Sequence, residues 1–216
     1  MNATLKSIAI FIGLLLFQSN LFSESNPHKF IDLQAQKMVS IIRNNQELYE
    51  EDPQLFKDKI NVVFEPMVDF RRVGASVMGK KYYLAASKSQ RIEFIESFRT
   101  SLLDTYSSTL AQWGDQRIVT IFPAVSIGPD ASNIDFSEFK KTEDVQQELI
   151  TATNIYPITY KVRKDKDGKW LIINIIVNGV NLGLTFRNQF QALGKEHNGN
   201  IDEIIKHWTS NANLDS

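Results

Sequence analysis

Three histidines, His28, His197 and His207, are the only imidazoles in this 216-residue chain, so they bound the acid–base and metal chemistry it can hold. Histidine titrates near neutrality and is the commonest metal ligand. Two of them four residues apart on a helix would meet one ion. His197 and His207 stand too far apart in spacing to form a metal pair on one helical face. His28 lies close behind an apolar leader and is expected to be exposed. The run "DKD" at Asp165–Asp167 begins like a calcium loop, but it lacks the Gly and distant Glu that complete one, and it fits a hairpin turn better. There is no H-E-x-x-H, no G-x-S-x-G and no glycine-rich phosphate loop closed by Lys-Ser or Lys-Thr. There is no cysteine either, hence no thiol nucleophile, no disulfide and no thiol to accept a lipid. No catalytic residue, metal ligand or cofactor site is assigned, and the chain is not expected to be an enzyme.

What remains polar and pointed is of two kinds. Arg71-Arg72 and Lys80-Lys81 make a basic cluster around one short helix, suited to an acidic partner or to phosphate headgroups. Asn174, Asn178 and Asn181 interrupt or follow an apolar strand. A buried amide needs partners, so these serve either the sheet and its turns or the polar end of a ligand; the first reading is favoured. The net charge of −1 gives no reason to expect nucleic acid.

The elements that must position these residues are legible from periodicity. Phe30, Leu33, Met38, Ile41 and Ile42 belong to an apolar stripe at helical spacing. Asp52-Pro53 is a helix start, and Phe56, Ile60, Val63 and Phe64 give that helix a buried face before Pro66 ends it. "MVDFRRVGASVMGKKYY" is a further short helix with Gly79 at its end. Ser87 and Gln90 fit a capping box. Behind it Ile95, Phe98, Leu102, Tyr106, Leu110 and Trp113 recur every three or four residues, the mark of a long amphipathic helix that Gly114 closes. The second half turns to strands: "RIVTIFPAV", "ELITATN", "YPITYKVRK" and "KWLIINIIV". Asp167-Gly168 supplies a hairpin turn between the last two. The stretch Ile127–Thr142 is polar and turn-rich, a surface connection, and Asn200 with Glu203 opens a final short helix. Helices first and hairpin-linked strands second predict an α+β fold, N-terminal helices packed on a twisted antiparallel sheet around a cone-like space.

One strand sets a problem. Between Trp170 and Val177 only Asn174 is polar, so both faces are apolar. A strand with one wet face alternates instead. Leu171, Ile173, Ile175 and Val177 form one face, and Trp170, Ile172 and Ile176 the other. The first, uninterrupted by Asn, is taken to face something other than the core. Phe98, Leu102 and Tyr106 of the long helix would close that space from the opposite side.

The chain opens with Lys6, then an apolar run from Ile8 to Phe17 too short to span a bilayer, then polar and small residues. Residues 1–23 therefore read as a secretory signal peptide and residues 24–216 as a single domain. Export without disulfides or a lipid anchor suggests a soluble periplasmic protein.

Several of these pieces together resemble the MlaC family, the toluene-tolerance or Ttg2-type proteins. In "GASVMGKKYYLAASKSQRIEFIESFRTSLLDTYSSTL" the matching residues are Gly79, Tyr82, Tyr83, Gln90, Arg91, Phe94, Phe98, Leu102, Tyr106 and Leu110. In "DGKWLIINIIVNGVNL" and "FRNQF" they are Gly168, Trp170, Gly179, Val180, Leu182, Gln189 and Phe190. That family has Asp where Asn174 stands and Ser where Asn181 stands. The resemblance implies a periplasmic phospholipid carrier with a fold like nuclear transport factor 2 around a deep apolar pocket. It implies exchange between an outer-membrane lipoprotein–porin complex and an inner-membrane ABC transporter with an MCE-domain component, maintaining outer-membrane lipid asymmetry. On that reading phospholipid is cargo rather than cofactor. Phe98, Leu102, Tyr106, Leu171, Ile173, Ile175, Val177 and Val180 would touch its chains, and Arg71, Arg72, Lys80 and Lys81 would dock a partner complex. A monomer is expected, since a carrier must diffuse. Two other readings compete. A periplasmic chaperone for lipoproteins or apolar polypeptides also needs a greasy groove. A small isomerase or dehydratase on a similar cone would need an Asp–His pair at the cavity floor, and the strand half has no His in a buried-looking place.

Overall fold

The computed structural model describes residues 26–123 and 139–210. The leader expected over 1–23, and residues 127–138 of the expected polar connection, lie outside the described residues. Helices come first. α1 (Pro27–Arg43) starts at Asn26, whose side chain accepts from the backbone N–H of His28 and of Lys29. A single turn, α2 (Leu48–Glu51), leads to α3 (Pro53–Met67), where Asp52 caps and proline opens the helix. Pro66 sits inside the last turn of α3 rather than beyond it.

α4 (Phe70–Ala85) is capped by Asp69 and runs further than the sequence suggests, through Tyr82 and Tyr83. It is two helical pieces joined at Gly79, whose φ of 70° and ψ of 165° break the helix. Only a residue without a Cβ adopts that backbone cheaply. α5 (Lys88–Ala111) carries the full capping box: Ser87 accepts from the Gln90 N–H, and Gln90 accepts from the Ser87 N–H. Its 24 residues span about 36 Å.

The sheet is antiparallel, in the order β1 (Arg117–Ile121), β2 (Thr142–Ile150), β3 (Ile155–Lys164), β4 (Trp170–Val177) and β5 (Val180–Asn181). β2 begins six residues earlier than "ELITATN" suggests. Its inward side chains are Val145, Gln147 and Leu149, and a buried glutamine hides the alternation. Gln147 is 1% exposed and donates to Thr120, which donates to Asp32. The β3–β4 hairpin closes over Asp165–Gly168 as expected, with Gly168 at φ 79° and the Asp165 N–H bonded to the Lys169 carbonyl.

α6 (Leu182–Glu196) follows directly from β5, capped by Asn181, and α7 (Ile201–Lys206) is capped by Asn200. α1 lies against β1 and β2, while α3, α4 and α6 meet β4, so the helices cover one face of the sheet. The largest packed cluster among the described residues joins α4, α5, α6 and α7 through Tyr82, Phe94, Phe98, Phe186, Phe190 and Trp208. Phe94 meets Phe190 edge to face at 4.8 Å and Trp208 at 5.2 Å between ring centroids. This is the geometry aromatic quadrupoles favour. The α+β architecture expected from the order of elements is the one observed.

Candidate functional site: an apolar cavity between helices and sheet

The aromatic cluster fills one end of the space under the helices. The rest is hollow. A cavity of about 360 Å³ is walled by α1, α3, α5, the start of α6 and the inner face of the sheet. That volume lies in the range of about 300–1,000 Å³ usual for small-molecule sites. From α1 come Gln34, Met38 and Val39; from α5, Leu102, Tyr106 and Leu110; from the sheet, Ile118, Leu149, Ile158 and Tyr160. Among the described residues the wall contains no Asp, Glu, His, Lys, Arg, Ser or Thr. It therefore offers no described acid, base or hydroxyl nucleophile other than the phenols of Tyr106 and Tyr160. Burial pushes the Tyr160 phenol well above its ordinary range, so it stays a neutral hydroxyl.

The α5 stripe explains how such a space survives folding. Phe94 and Phe98 are buried in the aromatic cluster, but Leu102, Leu103, Tyr106 and Leu110 further along are only half-buried. An apolar helix face that packs on protein would be sealed. Here half of it faces the cavity.

β4 resolves differently from either face read from its alternation. On β3, Lys161 pairs with Asn174 but the next residue, Val162, pairs with Ile172. Ile173 is the extra residue of a bulge, and a bulge reverses which side the following residues face. Trp170 and Ile172, opposite Lys164 and Val162, thus share the inner face with Ile175 and Val177, opposite Tyr160 and Ile158. Each face read from strict alternation is half right.

The structure brings Phe98, Leu102, Tyr106 and Ile175 together in the cavity wall. Leu171 and Ile173 do not border it, because the bulge sets them off the inner face. Val177 has the inward register but lies beyond the wall, and Val180, its partner on β5, also stands outside it. Ile172, Met38, Phe64 and Leu182 are wall residues that sequence reading did not assign. For Ile172 the signal would have been a bulge, which leaves no mark on hydrophobic periodicity. Met38 and Phe64 lie on visible helical stripes, and a stripe that faces a cavity has the same periodicity as one that faces core.

Asn174 touches the rim of the cavity, yet its side chain is engaged. Its Nδ2 donates to Asn181 Oδ1 and its Oδ1 accepts from the Gly183 N–H, both at 3.1 Å. Asn181 also caps α6 through the Leu184 N–H. The favoured reading of these amides, as structural partners, is the one the geometry bears out. Asn178 sits at φ 48° in the β4–β5 turn and donates its N–H to the Pro157 carbonyl.

Arg71, Arg72, Lys80 and Lys81 are all exposed, two at the start of α4 and two just past the Gly79 break. Arg72 pairs loosely with Asp69 at 3.4 Å, and Lys81 lies over the Tyr82 ring at 4.9 Å. α4 itself holds no acidic residue. The Arg187 guanidinium of α6 approaches Gly79, extending the basic face.

The histidines depart from expectation. His28 is buried, not exposed, near Phe122 and Phe139. Desolvation lowers its pKa, opposed by a bond to the Ile121 backbone and by the Glu143 charge. His197 and His207, which spacing keeps apart, stack on one another with ring centroids 4.5 Å apart.

Comparison with known proteins agrees with this arrangement. The family model described as MlaC protein matches residues 33–210. The chain is similar to the toluene tolerance protein ttg2D of Pseudomonas putida, 28% identical over 84% of this chain and 79% of that protein. It is similar to the intermembrane phospholipid transport system binding protein MlaC of Haemophilus influenzae, 25% identical over 85% of this chain and 80% of that one. Among solved structures it resembles a phospholipid-binding protein from Ralstonia solanacearum in complex with a phospholipid, with a TM-score of 0.69. That likeness covers 83% of this chain and 92% of the other at 19% identity, and it shows the fold.

Proposed function

The chain belongs to the MlaC protein family, and from that premise we propose that it carries a diacyl phospholipid with its acyl chains in the cavity. One observation carries the reading: a hollow of about 360 Å³ whose described walls are uncharged and apolar but for Gln34, Asn174 and the phenols of Tyr106 and Tyr160, left open by half-buried leucines and isoleucines. A well-formed apolar pocket with few polar groups is the kind of site that takes an apolar ligand.

Transfer energetics say why a carrier is needed. A diacyl lipid exposes about thirty methylenes, and at about 0.8 kcal/mol each its escape into water costs on the order of 20–25 kcal/mol. A cavity that receives the chains exchanges one apolar surrounding for another. The net cost falls toward zero and passage in either direction becomes feasible. With no nucleotide-binding motif in the sequence, direction must come from a partner.

The wider setting is part of the same proposal. The carrier works in the periplasm as a monomer, between an outer-membrane lipoprotein–porin complex and an inner-membrane ABC transporter with an MCE-domain component, and helps keep the outer membrane asymmetric. Arg71, Arg72, Lys80 and Lys81 meet acidic surfaces on one of those complexes. Among the described residues no helix is long and apolar enough to cross a membrane, which is compatible with a diffusing carrier.

Native mass spectrometry of protein purified from cells, followed by organic extraction, tests the cargo. A diacyl phospholipid at one per chain is expected. A bound peptide or lipoprotein would favour the chaperone reading, and an empty protein would overturn the carrier.

A further inference from the structure

We propose that His197, Glu203 and His207 form a transition-metal site that staples the last helix to the body of the protein. One donor atom from each of the three side chains can be chosen so that all lie within 4.8 Å of one another. The two histidines are ten positions apart in sequence, but the turn after α6 folds them together. His197 ends α6, Asn198 and Gly199 take positive φ of 51° and 78°, and Asn200 starts α7, whose end carries His207.

The chemistry of the set suits zinc or a similar borderline ion. Two neutral imidazoles and one carboxylate with an open fourth position is a known zinc ligand set. His207 Nδ1 is 2.8 Å from the Glu203 carbonyl. A carbonyl only accepts, so Nδ1 carries a proton, and in the neutral ring Nε2 holds the lone pair that an ion would take. That is the outer hydrogen bond that orients a metal-bound histidine. His197 Nε2 is buried and bonds to nothing, and a nitrogen left dry without a partner is what coordination would relieve. Glu203 Oε2 lies 3.7 Å from Lys206 Nζ and, at 3.7 Å, on the Nδ1 side of His207, so an ion held by Nε2 would draw the carboxylate away from that ammonium and around the ring.

The fit requires movement. With bonds of about 2.0–2.2 Å, tetrahedral donors stand roughly 3.4 Å apart. Stacked rings also hold their in-plane lone pairs side by side rather than convergent. The half-exposed carboxylate of Glu203 can make up most of the difference by rotating, with the His207 ring adjusting about its Nδ1 hydrogen bond. The consequence is mechanical. Ile201, Ile204, Ile205 and Trp208 back the aromatic cluster at one end of the cavity, so an ion tying α7 to α6 holds that wall in place.

The test uses the full chain without an affinity tag, stripped by chelator, titrated with Zn²⁺ by calorimetry and with Co²⁺ by visible absorption. One Zn²⁺ per chain with micromolar affinity, tetrahedral Co²⁺ bands and a raised Tm in Zn²⁺ are expected. His197→Asn and His207→Ala should each weaken binding at least tenfold, and His28→Asn should leave it unchanged. Absence of Co²⁺ bands from the unaltered chain, or equal Zn²⁺ affinity in the His197→Asn/His207→Ala double variant, overturns the site. Because the unaltered chain is itself measured, a variant that fails to fold does not shield the proposal. Lipid content is read separately, so the carrier reading stands or falls on its own.

Discussion

Asn174 and Asn181 are clasped across the β4–β5 turn, the Asn174 amide donating to Asn181 Oδ1 while its own Oδ1 holds the Gly183 N–H. The pair joins the strand beneath the cavity to the helix that closes it. Gly183 is required there because a Cβ would collide with the Asn174 carboxamide.

Asn174→Ala leaves the Gly183 N–H without its acceptor in a half-buried place. Stability should fall by about 1–3 kcal/mol, the usual cost of orphaning such a group. Chemical denaturation with an unchanged m-value would read it. Gly183→Ala should cost at least as much, through the clash, and a variant of either kind with unaltered midpoint would contradict the clasp.

A charge on the cavity wall separates cargo loss from unfolding. Ile175→Asp buries a carboxylate where acyl chains are proposed to lie, so the purified protein should remain folded by circular dichroism but hold little lipid. Leu171→Asp, four residues earlier on the other side of the bulge, should keep its lipid. Strict alternation would place both residues on one face and predicts the same loss from both. Lipid extraction from the two variants therefore tests the bulge at Ile173 as well as the pocket.

Much of this arrangement was readable in the residues themselves, and the failures have physical causes. Ser87 and Gln90 announced α5, and Asp167-Gly168 announced the β3–β4 turn, because capping and turn chemistry are local. The bulge at Ile173 was not readable, because an extra residue in an all-apolar strand changes facing without changing composition. β2 extends beyond its apolar run because Gln147 takes an inward position and satisfies its donor through Thr120, a partner on another strand. The meeting of His197 with His207 depends on two positive-φ residues in the turn between them, a tertiary event that spacing along one helix does not describe. A strand apolar on both faces is the sequence mark of the cavity. Of the eight residues expected to line it, Phe98, Leu102, Tyr106 and Ile175 border the cavity, and Leu171, Ile173, Val177 and Val180 do not.

His28 should make stability fall on acidification. Its folded pKa lies below the unfolded value of 6.5, chiefly through desolvation. The unfolded chain therefore takes up the proton first. The stabilisation is present above about pH 6.5 and is lost as pH falls through the folded value. His28→Phe keeps a ring beside Phe122 and Phe139 but cannot titrate. Its Tm should be lower overall, since the bond to the Ile121 backbone is gone, and flatter between neutral and mildly acidic pH. Parallel Tm–pH curves for the two proteins would exclude His28 as the titrating group.

The basic face of α4 should govern encounter with a partner and leave cargo alone. Arg71, Arg72, Lys80 and Lys81 are exposed and stand clear of the cavity wall, so reversing Lys80 and Lys81 to Glu places no charge near the proposed acyl chains. Long-range attraction between such a face and an acidic surface raises the association rate and is screened within about 8 Å at physiological salt. Against the purified soluble region of the MCE-domain component, the Lys80→Glu/Lys81→Glu variant should associate about tenfold more slowly. The unaltered chain should slow toward that rate as salt is raised. Its lipid content and Tm should match the parent. Equal association rates at low salt for parent and variant would remove α4 from the docking surface, because two exposed charge reversals at an electrostatic contact cannot be silent where screening is weakest.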